Sequence, residues 1–429
     1  MDPLENYIRE LRDIRSSGEA VAETSYYGAL ATLLNEVGKT LKPKVRCIIN
    51  IKNRGAGIPD GGLFTTDQFQ KSSGAEPLKG QAPSRGVIEV KPASGDAWVT
   101  AEGSQVSKYW GKYGQVLVTN YRDFVLVGRD EEGRAAKLET YRLAPTETEF
   151  WTAAGNPRRF AQEHGERLIE YLKRVMLQAA HLASPEDVAW FLASYARDAK
   201  ARIEKAELPA LAAVRAALEE ALGLKFEGEK GERFFRSTLV QTLFYGVFSA
   251  WVLWSRDRGR GERSARFDWK QAAWSLRVPM ISALFEQVAM PSRLGPLGLV
   301  EVLDWTAAAL NRVVREEFFK RFEEDHAVQY FYEPFLEAFD PVLRKELGVW
   351  YTPKEIVEYM VARVDRVLRD ELDLPDGLAD PRVYVLDPCC GTGAYLVEVL
   401  RRIAVTLRER GDDALVSSDI KRAAKERVF

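Results

Sequence analysis

The spacing of apolar and polar residues divides this chain into an α/β stretch, a long helical stretch and a second α/β stretch. Residues 1–40 read as helices, and from Gly18 to Gly38 apolar positions recur at helical spacing until a glycine stops them. Val45–Ile51 is rich in β-branched residues and predicts a strand. A loop over Asn53–Ile58 leads to Pro59-Asp60, a turn that opens a second short strand toward Phe64. Residues 70–85 are rich in Gly, Ser and Pro and predict a loop. Gly86–Pro92 predicts a strand that ends at a proline, followed by a helix over Asp96–Lys112 capped by Ser94 or Asp96. Gln115–Thr119 and Phe124–Gly128, separated by Asn120-Tyr-Arg-Asp, predict a hairpin. Residues 1–140 are thus expected to form an α/β domain, a mixed sheet with flanking helices.

From 145 to 340 the pattern is almost wholly helical, with long helices expected over Pro185–Leu222 and Glu232–Arg256. No internal repeat and no catalytic constellation occurs there, which makes it an all-α connector. Ser237–Trp254 carries no charge and reaches the length of a membrane span, roughly 18 residues. Its Ser, Thr and Gln positions and flanking arginines make it a buried core helix instead. Across 341–429 an α/β pattern resumes: helix Pro353–Leu372, strand Arg382–Leu386, a glycine turn, and helix Tyr395–Arg410.

Length and composition narrow the chemistry. A chain of 429 residues calls for several domains. Hydrophobic residues make up 46% and charged residues 29%, a globular rather than disordered profile. The net charge of −2 gives no global signal for nucleic acid, although a local basic face fits within a neutral total. The best such face is Lys39–Arg46 with Lys52 and Arg54, close in sequence to Asp60. The three cysteines (Cys47, Cys389, Cys390) contain no CxxC pair, and the three histidines (His164, His181, His326) are scattered. Neither a disulfide framework, nor a zinc site, nor histidine catalysis follows. The N-terminus is acidic and lacks an apolar targeting region, so a reducing, cytoplasmic setting is expected.

The first constellation is Asp60, Glu89 and Lys91. Glu89 and Lys91 lie two apart on a strand and share a face. Asp60 opens a neighbouring strand and can meet them. Two carboxylates with a backbone carbonyl make an oxygen cage suited to Mg²⁺, and a lysine beside it can position water or neutralise a phosphorane. Taken singly, a Val-Glu-Val-Lys strand is common on solvated faces. The joint order is more specific: Glu23, Pro59-Asp60, Glu89-Val90-Lys91, then a helix with Gln105 and Tyr109. This order, over residues 1–130, resembles the PD-(D/E)xK nuclease superfamily, especially the branch fused to restriction–modification enzymes. The resemblance implies metal ligation by Asp60 and Glu89 and catalysis with Lys91. It makes Glu23 the additional acid of the first core helix, with Glu19 as competitor, and Gln105 the polar residue on the following helix.

The second constellation is the glycine turn Asp387-Pro388-Cys389-Cys390-Gly391-Thr392-Gly393-Ala394-Tyr395-Leu396. It resembles motif I of DNA methyltransferases that act on the exocyclic amine of adenine. About 35 residues upstream, Tyr351-Thr352-Pro353 resembles the motif that precedes their core sheet. By itself, Thr352-Pro353 is also what a well-capped helix start looks like. The resemblance implies a Rossmann-like domain in which Tyr351, Thr352, Pro353, Asp387, Pro388, Gly391 and Gly393 bind S-adenosylmethionine. The (Asn/Asp)-Pro-Pro-(Tyr/Phe) motif and the ribose-binding acid of that class do not occur in these residues. The expectation is therefore an N-terminal fragment of a longer, type IIG-like enzyme that lacks the rest of its methyltransferase and its target-recognition region.

The expected activity is Mg²⁺-dependent hydrolysis of double-stranded DNA, with adenine methylation in the full-length protein and a role in phage defence. The alternative is an adenine methyltransferase or phage-defence component whose nuclease-like domain is inactive and docks DNA. No Gly-x-x-x-x-Gly-Lys-(Ser/Thr) loop occurs, which disfavours an ATP-driven translocase, and no membrane partner is expected.

Overall fold

The computed structural model describes residues 2–70, 76–130, 133–180, 182–206, 208–258, 266–276, 282, 285–286, 288–322, 331–342, 352–390, 393–410 and 416–429. Two units separate by their internal contacts, Met1–Glu323 and Glu324–Phe429.

The first unit begins with helices α1 (Pro3–Ser16), α2 (Tyr27–Gly38) and α3 (Thr66–Gln70) around the first strands. A six-stranded sheet follows: β1 Val45–Ile49, β2 Gly61–Thr65, β3 Val87–Val90, β4 Val116–Thr119, β5 Asp123–Arg129 and β6 Ala135–Arg142. Strand order in space is strand order in the chain. Only β3 and β4 pair in parallel; their neighbours pair antiparallel. A parallel pair needs a crossover, and α4 (Ala97–Ala101) with α5 (Ser104–Tyr113) supplies it.

Alternation along the strands sets the two faces. Val87, Val116, Val118, Val125 and Val127 pack with Ala97, Ala101, Val106 and Tyr109 of the crossover helices. Ile88, Leu117 and Leu126 face the other way and are equally buried. On the chain go α6 (Glu147–Ala154) and α7 (Pro157–Leu177), and α1 packs against both α2 and α7. Coverage of both faces explains why the central strands are mainly apolar, with Glu89 of β3 a buried exception.

The observed elements depart from the periodicity in instructive places. The helix expected over Asp96–Lys112 breaks at Glu102-Gly103, where Glu102 and Gly103 close α4 on Val99 and Thr100 and Gly103 starts α5 in an extended conformation. Of the two candidate caps, the Asp96 carboxylate accepts from the Trp98 and Val99 N–H groups. The helix expected from Gly18 starts only at Tyr27, after a 3₁₀ turn over Thr24–Tyr26. Glu23 thus precedes the core helix instead of lying on it. The sixth strand was not expected.

In the helical stretch, α8 (Pro185–Lys205) and α9 (Leu208–Leu222) replace one expected helix. Pro209 suits a first turn, not a helix interior. In α10 (Gly228–Arg258), Leu239, Leu243, Phe244, Val247 and Trp251 are buried. Among the described residues no helix is long and apolar enough to cross a membrane. A buried ionic network ties the sheet to these helices. Arg174 of α7, fully buried, donates to Glu139 of β6 at 2.8 Å and to Asp198 of α8 at 3.0 Å.

In the second unit, helices Lys354–Asp370, Ala394–Glu409 and Val416–Glu426 enclose a core of Val357, Val361, Leu378, Ile403 and Ala423. The strand expected over Arg382–Leu386 reduces to a single parallel bridge, Val385 to Val428. Its hydrogen bonds are Val385 N–H to the Arg427 carbonyl (2.8 Å), Phe429 N–H to Val385 (2.9 Å) and Asp387 N–H to Phe429 (2.8 Å). Among the described residues no longer ladder forms. Residues 427–429, read from the sequence as helical, leave the helix for this pairing.

Candidate active site

Asp60 lies where β1 hands over to β2, its carbonyl accepting from the Asn50 N–H at 2.7 Å. Its side chain is held at both oxygens: Oδ2 accepts from the Val90 N–H at 2.8 Å and Oδ1 from the Tyr27 hydroxyl at 2.7 Å. Glu89 stands on β3 in the middle of the sheet, on the face covered by α5, and is 2% exposed. Lys91 leaves the strand end after its N–H pairs with the Thr119 carbonyl. Its ammonium donates to Glu89 Oε1 at 2.5 Å and to the Val90 carbonyl at 3.0 Å. From α5, Gln105 reaches Glu89 Oε2 at 3.5 Å and the Tyr109 hydroxyl at 3.0 Å. Glu23 joins through Tyr27, whose hydroxyl lies 3.3 Å from its Oε1, and through its own carbonyl, which accepts from the Tyr121 hydroxyl.

All five residues singled out in the N-terminal sequence therefore converge. Tyr27 and Tyr121 complete the cluster. Tyr27 is a polar-tipped ring one turn beyond Glu23, a signal visible in the sequence, whereas Tyr121 is brought in only by the fold.

The electrostatics are those of crowded carboxylates. Burial pushes the Glu89 carboxyl up; the hydrogen bond from Lys91 opposes this, while Asp60 and Glu23 reinforce it. Burial alone would lower the Lys91 ammonium, but Glu89, Glu23 and Asp60 together raise it. Burial and the bond to Asp60 push the Tyr27 phenol well up, so it remains a hydrogen-bond donor. Three carboxylates thus surround one ammonium. Among the described residues no group of three or more His, Cys, Asp or Glu side chains is arranged to hold a metal ion.

At the basic stretch nearby, Lys39 pairs with Glu36, Arg46 lies over the Phe69 ring and Arg54 donates to the Leu78 carbonyl.

In the second unit, Asp387 Oδ1 accepts from the Cys389 N–H at 3.1 Å. Gly393 takes a left-handed φ of +77° and opens the helix Ala394–Glu409, with nothing within 4 Å of where a Cβ would stand. Gly391 and Tyr351 lie outside the described residues. Thr352 does not cap the following helix; Pro353 occupies the cap position and its carbonyl accepts from the Ile356 and Val357 N–H groups. An apolar cavity of about 270 Å³ adjoins Asp387 and Pro388, walled by Met360, Leu378, Val385 and Tyr395 among others.

Residues 323–425 match the model of the N-6 DNA Methylase family, a span nearly coextensive with the second unit. This part of the chain is related to DNA methyltransferases, and that family implies use of S-adenosylmethionine. Comparison with curated proteins yields no match. Among solved structures, the chain is similar to one described as a cryo-EM structure of a DrdV–DNA complex, at 21% identity and a TM-score of 0.30. The similarity covers 95% of this chain and 35% of that one.

Proposed function

We propose that this chain carries the nuclease part and the beginning of the adenine methyltransferase part of a fused restriction–modification enzyme. On this reading residues 1–140 form a PD-(D/E)xK nuclease-like domain, 145–340 the helical connector, and 341–429 the start of the methyltransferase. The observation that carries it is the convergence of Asp60, Glu89, Lys91 and Gln105 at one end of β3, in a chain whose C-terminal unit matches a DNA methylase family.

The donor chemistry fits a hard divalent cation such as Mg²⁺. Asp60, Glu89 and the Val90 carbonyl would hold it, an all-oxygen set. Such an ion supplies Lewis-acid polarisation of a phosphodiester. The Lys91 ammonium contacts Glu89 and the Val90 carbonyl, two of those three donors, and so stands in for part of the positive charge. Swung toward solvent, it would face the scissile phosphate and neutralise charge developing there. Gln105 steadies the second oxygen of Glu89, and Tyr27 and Val90 N–H hold Asp60 in register. Glu23 adds negative charge that favours a cation at this end of the strand.

In the second unit the open space around Gly393 and the apolar cavity beside Asp387-Pro388 fit part of S-adenosylmethionine, with Tyr351, Thr352, Pro353 and Gly391 as further contacts. That cofactor supplies an electrophilic methyl group. Adenine methylation would belong to the full-length protein.

The test is incubation of the chain with supercoiled plasmid and Mg²⁺ or Mn²⁺. Nicked or linear product, lost in Glu89→Ala and Lys91→Ala, is expected; cleavage that persists in both variants sinks the reading. A second reading, a methyltransferase or phage-defence component whose nuclease-like domain only docks DNA, is favoured by the Lys91 ammonium, which already occupies two of the three proposed metal donors. Calorimetric titration separates the two, because Mg²⁺ uptake abolished by Glu89→Ala belongs only to the first.

A further inference from the structure

A cavity of about 480 Å³ opens in the first unit, away from the carboxylate cluster. It lies at the far end of the seven-residue β5, about 20 Å along the strand from the end nearest Lys91. One wall is the tip of the β5–β6 pair, with Arg129 and Lys137; the other is the helix Leu299–Asn311 and the residues after it, with Trp305, Arg312 and Arg315, and Arg266 completes the rim.

The lining is strongly cationic in a chain whose net charge is −2. Five arginine or lysine side chains and two carboxylates, Asp130 and Glu139, line it, and Lys137 is paired with Glu102 at 2.5 Å. Both oxygens of Glu139 are already engaged, one by Arg174 at 2.8 Å and the other by the Tyr195 hydroxyl at 2.7 Å. Asp130 accepts from the backbone and guanidinium of Arg134. Arg312 donates to the neutral Gln178 side chain at 2.7 Å and to the Gln178 carbonyl. Among the described residues Arg312 forms no salt bridge, and burial holds its guanidinium below the usual range. Beneath the floor, fully buried Arg174 packs against Tyr195 and Trp305, both lining residues, and leaves its Nη1 without a hydrogen-bond partner. Arg312, half-buried and with only neutral hydrogen-bond partners, is a costly cation, and an incoming anion relieves it.

We propose that this cavity binds a phosphate-bearing small molecule of nucleotide size, its phosphate held by Arg312 and the surrounding arginines and its ring against the Trp305 wall. Guanidinium forks match phosphate oxygens in pairs. The volume falls in the range of small-molecule sites, roughly 300–1,000 Å³. A concavity walled on both sides suits a ligand that enters it; a duplex would bridge its mouth. The site is independent of the cleavage chemistry proposed above.

The experiment is calorimetric titration of the whole chain with ATP, dAMP, inorganic phosphate and a short DNA duplex, for the wild type, Arg312→Met and Arg129→Glu. Saturable binding of one nucleotide per chain, weakened about tenfold or more in Arg312→Met and also in Arg129→Glu, is expected. Arg129 is exposed, so its variant keeps the test valid if Arg312→Met does not fold. Phosphate binding as tightly as either nucleotide would show that the ring adds nothing at Trp305 and would overturn the nucleotide-sized ligand. Duplex that displaces the nucleotide and binds more tightly, no uptake of any small probe, or uptake indifferent to both substitutions would overturn the proposal.

Discussion

The Asp60 carboxylate accepts a hydrogen bond from the Val90 N–H at 2.8 Å, so the acid that opens β2 is pinned beside the residue between Glu89 and Lys91. Asp60→Asn can keep this contact, its amide oxygen accepting from Val90 while its NH₂ donates to Tyr27. The variant is expected to fold with a melting temperature close to the wild type. Under the proposed metal binding it takes up Mg²⁺ about tenfold or more weakly, since one anionic ligand is gone. Calorimetry with Mg²⁺ checks this, and undiminished uptake in a folded variant would count against Asp60 as a ligand.

A pH dependence follows from Glu89. Its carboxyl is raised above the ordinary value of 4.5, chiefly by burial. The ionised form is therefore disfavoured in the folded chain. The stability linked to its protonation is complete below its unfolded-state pKa and is lost as pH rises through the folded one. Glu89→Gln removes that loss. Without divalent ions the variant is expected to melt higher than the wild type at pH 8, with the difference shrinking toward pH 4. Added Mg²⁺ should stabilise the wild type at pH 8 and leave the variant unchanged. Thermal melts across this range decide it; a variant less stable than the wild type at pH 8 without metal contradicts the assignment.

Arg174 offers a test of the packing between sheet and helices. It is fully buried between Glu139 and Asp198, and Arg167 and Arg202 also reach Asp198. Arg174→Met keeps much of the volume but leaves Glu139 without its guanidinium. A loss of about 3–5 kcal/mol is expected on breaking such a pair from one side. Urea denaturation measures it. A cost below about 1 kcal/mol, the level of exposed ion pairs, would show that the network is hydrated rather than buried.

How much of this was legible in the sequence depended on whether the cause was local. Val87–Val90 and Val116–Thr119 are legible because central strands covered on both faces are mainly apolar, and the edge strand Val45–Ile49 because β-branched residues flank its exposed Arg46. Ala135–Arg142 did not, since Lys137, Glu139 and Arg142 interrupt it; its pairing comes from β5, and Glu139 is compensated by Arg174 35 residues away. The order Asp60, Glu89, Lys91, Gln105 was readable, and alternation alone put Glu89 and Lys91 on one face. That Glu23 precedes the core helix was not readable, because the tie from Tyr121 to its carbonyl spans 98 residues. At Arg382–Leu386 composition predicts a strand where, among the described residues, pairing is limited to Arg427–Phe429 and yields a single bridge.

The cysteines give an inexpensive check on the fold. Cys47 sits on β1, buried, with its thiol pushed up to about 12 by desolvation, whereas Cys389 and Cys390 are exposed at the glycine turn. Thiolate is the reactive form. At pH 8 a thiol reagent is expected to label Cys389 and Cys390 in the native chain and Cys47 only after denaturation. Mass mapping of the labelled residues reads the result, and rapid native labelling of Cys47 would contradict the burial of β1.

Two glycines of the second unit separate backbone strain from steric conflict. Gly393 and Gly377 both adopt left-handed conformations, at φ +77° and +56°. A Cβ at Gly393 meets nothing within 4 Å, so Gly393→Ala carries only the conformational cost, about 1–2 kcal/mol. A Cβ at Gly377 would run into the Asp365 carboxylate and the Arg369 guanidinium. That carboxylate accepts from the Leu378 N–H at 2.8 Å and from Arg369 at 3.0 Å, so displacing it also costs those bonds. Gly377→Ala is expected to destabilise the unit by clearly more than Gly393→Ala, and hydrogen exchange at Leu378 should quicken only in the former. If Gly393→Ala proves as damaging, its glycine must be needed for close approach by a group beyond the described residues. A cofactor seated against the turn would require the same, so the comparison also bears on S-adenosylmethionine.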